Sequence, residues 1–85
     1  MDKRDEQILL HIYTHCKDLE GFINRFGNTI DNFKKDRAFY NSVCMSLMQI
    51  SELSRNLTSE FIESTREQIS WSAVKGLRNW IAHEY

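Results

Sequence analysis

Hydrophobic residues recur at intervals of three and four along three stretches of this chain, the spacing of one face of an α-helix. The first stretch predicts a long helix with a buried face made of Ile8, Ile12, Cys16, Leu19, Ile23 and Phe26. Gly27 and Asn28 follow and predict its end, because glycine readily adopts the backbone conformation that closes a helix. Residues 28–36 are predicted to form a polar connector in which Ile30 and Phe33 turn back onto the helices.

The second stretch predicts a helix that begins after Asp36, since an aspartate at this position accepts hydrogen bonds from free backbone N–H groups. Its apolar face is predicted to contain Phe39 or Tyr40, Val43, Leu47, Ile50, Leu53 and Leu57. After the capping residue types at 58–60, Phe61 and Ile62 predict a short helical turn, and residues 63–69 a connector.

The third stretch predicts a helix from about Ser70, with a buried face made of Trp71, Val74, Leu77 and Ile81. No segment alternates with the period of two residues that is typical of a strand. We therefore predict an all-α fold, an antiparallel up-down helical bundle that forms a single domain over residues 1–85.

Charge, hydropathy and cysteine spacing exclude only a few classes of protein. The net charge of -1 gives no global positive field, so contact with a nucleic acid would require a local basic patch. No apolar run approaches the roughly 20 residues that span a bilayer, and the first residues are too polar for a signal peptide. Cys16 and Cys44 lack metal-ligand spacing and are predicted to be buried, reduced thiols. These features favour a cytoplasmic protein without a membrane segment.

The last eight residues hold the densest chemistry, in Arg78, Asn79, His83 and Tyr85. At about 100° per residue, Asn79 and His83 lie on one polar strip, and Arg78 lies at its border with the buried face. Cleavage of RNA by its own 2′-hydroxyl needs a proton acceptor, a proton donor and a cation at phosphorus. Histidine side chains suit both proton roles, and arginine binds two phosphate oxygens at once. One copy offers one suitable histidine, so a homodimer is predicted to complete the site.

Four segments carry a resemblance to a known family: residues 50–57, residues 69–71, residues 76–79, and His83-Glu84-Tyr85 at the end. Together they resemble the HEPN superfamily and, within it, the HepT-like toxins encoded beside a minimal nucleotidyltransferase antitoxin. The resemblance implies a dimeric helical bundle that cleaves RNA, such as tRNA or mRNA, without a metal or another cofactor. It assigns catalysis to Arg78 and His83, with Asn79 as their polar companion. It also implies that the antitoxin AMPylates Tyr85.

Two alternatives remain for the whole chain. It is either active as described or a catalytically inactive HEPN helical module that binds a nucleotidyltransferase partner or a nucleotide. Relatives continue past the tyrosine into a further helix, so we expect a bundle that lacks the last family helix. A fragment of a longer toxin would leave an apolar groove where that helix belongs.

Three smaller features are also open to two interpretations. His11, His15 and Asp18 have the spacing of metal ligands on a helix, but a solvated face is favoured and no metal is expected. The basic cluster at residues 34–37 either contacts RNA or is a solvated loop. Trp80 lies off the buried face of the last helix and belongs either to a dimer contact or to the core.

Overall fold

The computed structural model of the protein describes residues 1–84. Within this range the chain forms helices and no strand, which confirms the predicted all-α fold. The helices are α1 (Lys3–Phe26), α2 (Ile30–Lys35), α3 (Arg37–Ser54), α4 (Ser59–Thr65) and α5 (Trp71–Glu84). The three long helices agree with the three apolar stretches of the sequence, and α2 and α4 are short.

The central helix α3 packs against α1 on one side and against α5 on the other. The two ends of α1 fix its direction, because Phe26 stacks on Phe39 at the start of α3 with ring centroids 5.3 Å apart. At the other end of α1, Asp5 contacts Thr58, which follows α3. Helices α1 and α3 are therefore antiparallel, as predicted.

A buried carboxylate links the beginning of α1 to the beginning of α4. Asp5 is 2% exposed and accepts hydrogen bonds from the backbone N–H of Thr58 at 2.9 Å and from its hydroxyl at 2.6 Å. The Thr58 hydroxyl oxygen in turn accepts from the backbone N–H of Phe61 and caps α4. Because a buried carboxylate requires such partners, this network fixes how α4 lies against α1.

Between α1 and α3 the structure corrects the sequence prediction. Residues 28–36 are not only a connector, since the Thr29 hydroxyl accepts from the backbone N–H of Asn32 and starts the helix α2. Phe33 packs edge-on against Phe39, with centroids 5.5 Å apart, as expected. Ile30 does not turn back onto the bundle, because its side chain is 70% exposed. Ile30 is the first residue of α2, a helix in which no residue is fully buried.

The end of α1 requires glycine at position 27. Gly27 has a φ of 97°, in the region that side chains with a Cβ rarely adopt. A Cβ on this residue would also lie 2.6 Å from the side-chain amide of Asn32. That amide donates a hydrogen bond to the carbonyl of Phe26. The predicted end of α1 therefore requires glycine both for its backbone conformation and for lack of space for a side chain.

One hydrophobic cluster of the core lies where α1, α4 and α5 meet the end of α3. Its buried residues are Ile8, Leu57 and Trp71, and six partly buried side chains pack against them: Leu9, Ile12, Leu53, Phe61, Ile62 and Val74. The indole N–H of Trp71 donates to the hydroxyl of Thr65 at 2.8 Å. This bond satisfies the polar atom of a buried aromatic side chain at the start of α5.

The two cysteines differ in their surroundings. Cys44 is buried as predicted, and burial raises the pKa of its thiol above the ordinary value. Cys16 is exposed, so its predicted burial is wrong. It belongs to the apolar repeat of α1, but α1 packs mainly on α3 and no helix of the described range covers that part of its surface. Both thiols are free.

Candidate functional site

Helix α5 carries the candidate site and divides into the faces that its spacing predicts. Trp71 and Ile81 are buried, at 7% and 1% exposure, and Val74 and Leu77 are half-buried between them. Ile81 is among the most deeply buried side chains of the protein, although it lies only two residues before His83. The buried face therefore holds the helix in place almost to its end, including the turn that carries the histidine.

A close approach between α3 and α5 fixes the position of the site. The hydroxyl of Ser51 on α3 donates a hydrogen bond to the backbone carbonyl of Lys75 on α5 at 3.0 Å. Ser51 and Ser54 are both completely buried, and Ser54 donates to the carbonyl of Ser51 at 2.7 Å. Small side chains with satisfied hydroxyls allow the two helix backbones to come close together. Farther along, Cys44 and Met48 of α3 line a cleft with Ile81 of α5, so these helices are also antiparallel.

Arg78 lies at the edge of this helix contact and forms an ion pair with Glu52 of α3 through its Nε atom. The two side chains are about half exposed, at 52% and 46%. An exposed ion pair of this kind contributes only about 0–1 kcal/mol to folding. The pair places the guanidinium of Arg78 beside α3.

Asn79 and His83 are exposed and lie on the outward side of α5. Neither side chain has a hydrogen bond or ion pair with another residue in the described part of the chain. Within the described part of the chain, both side chains are therefore open to solvent. Tyr85, the predicted modification site, lies outside the described residues.

Two large apolar side chains, one on α5 and one on α3, are exposed. Trp80 is 54% exposed and Met45 of α3 is 60% exposed. Met45 also lines a cavity of about 60 Å³ together with Asn41, Cys44, Met48 and Ile81. Sites for small molecules usually enclose about 300–1,000 Å³, so this cavity is too small for a nucleotide. The exposure of Trp80 shows that its interpretation as a core residue is wrong.

A larger cavity, of about 530 Å³, opens between the start of α1 and α4. The charged side chains in its lining are all acidic and belong to Asp2, Asp5 and Glu60. Carboxylates repel phosphate groups, so this cavity does not suit a nucleic acid.

The remaining sequence candidates do not converge on a site. Nδ1 of His15 lies 3.9 Å from Asp18, and His11 is exposed. In the described range no group of three His, Cys, Asp or Glu side chains can hold a metal ion. In the basic cluster, Lys35 pairs with Asp31 at 3.1 Å, and the guanidinium of Arg37 lies 5.4 Å from the ring centre of Tyr40.

The partner of Arg78 is the site residue that analysis of the sequence did not single out. Glu52 belongs to a segment that carries the family resemblance, but it lies 26 positions before Arg78. Its place follows from the helix wheel only once α3 and α5 are known to be antiparallel, with Ser51 opposite Lys75.

Comparison with known proteins assigns the family. The family model "Ribonuclease HepT-like" matches residues 7–85, nearly the whole chain. A relative from Caldanaerobacter subterraneus subsp. tengcongensis, named "Putative RNase", is 30% identical over 83 residues, which cover 98% of this chain and 71% of the relative. No solved structure matches the chain significantly. The chain belongs to the HepT-like ribonuclease family, as the resemblance indicated.

No helix in the described range is long and apolar enough to cross a bilayer.

Proposed function

We propose that this protein is a metal-independent endoribonuclease toxin that acts as a homodimer, with its active site built around Arg78, Asn79 and His83. The proposal rests on the packing of α5. Ile81, at 1% exposure, anchors this helix, and Asn79 and His83 on the same helix are exposed. The matched family supports ribonuclease activity for the chain, and the match includes α5.

Arg78 is proposed to bind the scissile phosphate. Its Nε is paired with Glu52, and no other described residue interacts with its guanidinium. The two terminal amino groups are therefore available to hydrogen-bond a pair of phosphate oxygens. They would meet the negative charge that develops at phosphorus, and Asn79 would donate a further hydrogen bond.

His83 is proposed to move the protons. A neutral histidine accepts the proton of the 2′-hydroxyl as its oxygen attacks the adjacent phosphorus. A protonated histidine then donates to the departing 5′-oxygen, which leaves with the bond to phosphorus broken. The products are a 2′,3′-cyclic phosphate and a 5′-hydroxyl. Because the two protons move on opposite sides of phosphorus, two histidines are needed.

A second copy of the chain is proposed to supply the second histidine. Trp80 lies on α5 next to the polar strip and is 54% exposed, which is unusual for a tryptophan without a partner. Pairing two α5 helices about a two-fold axis would cover both Trp80 side chains and bring both His83 side chains to one cleft. The homodimer is in this proposal a requirement of the chemistry.

Neutralisation is proposed to occur at Tyr85, through AMP transferred by a cognate minimal nucleotidyltransferase antitoxin. Tyr85 follows His83 by two positions in the sequence. An AMP group on Tyr85 would therefore add negative charge close to the proposed site and repel the phosphate groups of RNA. The substrate, RNA such as tRNA or mRNA, would be met in the cytoplasm.

Removing either of two proposed functional side chains should slow cleavage strongly. We expect His83→Ala to lower the rate of RNA cleavage by about 10²–10⁴ and Arg78→Ala by about 10²–10³, the usual losses for a proton-transfer group and a charge-stabilising group. Cleavage of a labelled structured RNA, followed on denaturing gels, measures both. His11→Ala is the matched control, because His11 is an exposed histidine on α1. Equal rates for the wild type and His83→Ala would contradict the proposal.

Replacement of Trp80 should separate the dimer. We expect Trp80→Ser to raise the dimer dissociation constant at least about tenfold, since buried tryptophans dominate interface energies. Sedimentation equilibrium measures the constant, and cleavage per chain should fall in parallel at low concentration. Tyr13→Ser is the control, because Tyr13 is an aromatic residue exposed to a similar degree, 60%, on α1. A wild-type protein that remains monomeric at high concentration would refute the homodimer.

Modification should require position 85. With the nucleotidyltransferase encoded beside the gene and ATP, we expect the intact protein to gain the mass of one or more AMP groups and to lose cleavage activity. Tyr85→Phe should gain none, whereas Tyr13→Phe should be modified like the wild type. If AMP is added and no RNA is ever cut, the protein is instead an inactive module that binds the nucleotidyltransferase.

A further inference from the structure

The candidate phosphate-binding arginine is held by a carboxylate on a different helix. Glu52 Oε1 forms an ion pair with Nε of Arg78 and accepts no hydrogen bond from the described residues, and this oxygen is buried although 46% of the Glu52 side chain is exposed. Arg78 has no other ion pair or hydrogen bond with a described residue. The orientation of the guanidinium therefore depends on one oxygen atom of α3.

The point of contact leaves the outer edge of the guanidinium open. Nε is the nitrogen nearest the side-chain stem, and the two Nη amino groups lie beyond it. Those amino groups form the planar fork that binds two phosphate oxygens. We infer that Glu52 is a positioning residue that holds Arg78 by Nε and directs its two Nη groups towards a phosphate of the RNA backbone. The inference rests on the proposed function and extends it to a residue of α3.

Two observations distinguish positioning from a purely structural role. An ion pair between side chains that are half exposed adds little to folding stability, so stability alone does not account for it. Glu52 is also held firmly, because its neighbour Ser51 is completely buried and hydrogen-bonded to α5. A carboxylate on such a rigid base can fix a long, flexible side chain.

If Glu52 instead competed with RNA for Arg78, removing the charge of Glu52 would change RNA binding and cleavage in the opposite direction. A carboxylate that competed with RNA for Arg78 would occupy the Nη edge, and removing its charge would strengthen RNA binding and speed cleavage. The contact at Nε favours positioning instead, so removing the charge should weaken both. The direction of the change therefore decides between the two roles.

The first measurement needs no activity. In protein labelled with ¹⁵N at arginine, the Nε–Hε signal of Arg78 in the wild type should be shifted away from those of exposed arginines, because the carboxylate of Glu52 lies against Nε. In Glu52→Gln, which keeps the length of the side chain but not its charge, the signal should move towards those of exposed arginines. Glu63→Gln is the matched control, because Glu63 is an exposed glutamate (69%) that pairs with Arg66 at 3.3 Å. An Arg78 signal unchanged in Glu52→Gln would overturn the inference, whether or not the protein cuts RNA.

The second measurement is binding of a 2′-O-methyl RNA, which cannot be cleaved because its 2′-oxygen carries no proton. Followed at the Arg78 signals, the dissociation constant should rise about tenfold in Glu52→Gln and remain unchanged in Glu63→Gln. Equal or tighter binding by Glu52→Gln would overturn the inference.

The third measurement is cleavage of the corresponding unmodified RNA. We expect Glu52→Gln to lower kcat/KM roughly ten- to a hundredfold, the effect of a misplaced catalytic group, with unchanged thermal unfolding. A faster reaction would assign Glu52 as a competitor and contradict positioning. If the wild type cuts no RNA, the proposed function fails, and the first two measurements still decide the role of Glu52.

Discussion

Ser51 of α3 donates its hydroxyl proton to the backbone carbonyl of Lys75 on α5, and the position of the candidate site depends on this contact. The contact requires a side chain small enough to let two helices approach and polar enough to satisfy the carbonyl. Ser51 is completely buried there, and Ile81 continues the same seam at 1% exposure. Once this face of α5 is buried, helical geometry determines the directions of the other side chains of α5. Arg78 comes to the edge of α3, and Asn79 and His83 face outward.

The same constraint explains why the proposed chemistry is divided between two copies. The polar strip of α5 faces away from α3, so no helix of the described bundle covers it. A second proton-transfer group must then come from outside, and another α5 helix is the simplest source. The exposed Trp80 beside the strip gives that second copy an apolar surface to contact. Family membership and the arrangement of the helix thus support one account of the site.

The sequence predicted most of the fold, because three long helices with strong apolar periodicity leave few ways to pack. It did not predict α2, since a six-residue helix shows too little periodicity to be recognised. It also predicted burial for Cys16, because periodicity identifies an apolar face but not how much of it a partner covers. For the site, local spacing was sufficient to group Asn79 with His83. Glu52 required the register between two helices, which no local pattern contains.

The ends of the cleaved RNA reveal which group attacks the phosphorus. If His83 of two copies moves the protons and the RNA supplies its own nucleophile, cleavage must continue in excess chelator. The fragments must then carry 2′,3′-cyclic phosphate and 5′-hydroxyl ends, which mass spectrometry identifies. Fragments with 5′-phosphate ends, or a reaction that stops when metal is removed, would contradict the account, because water rather than the 2′-hydroxyl would then be the attacking group.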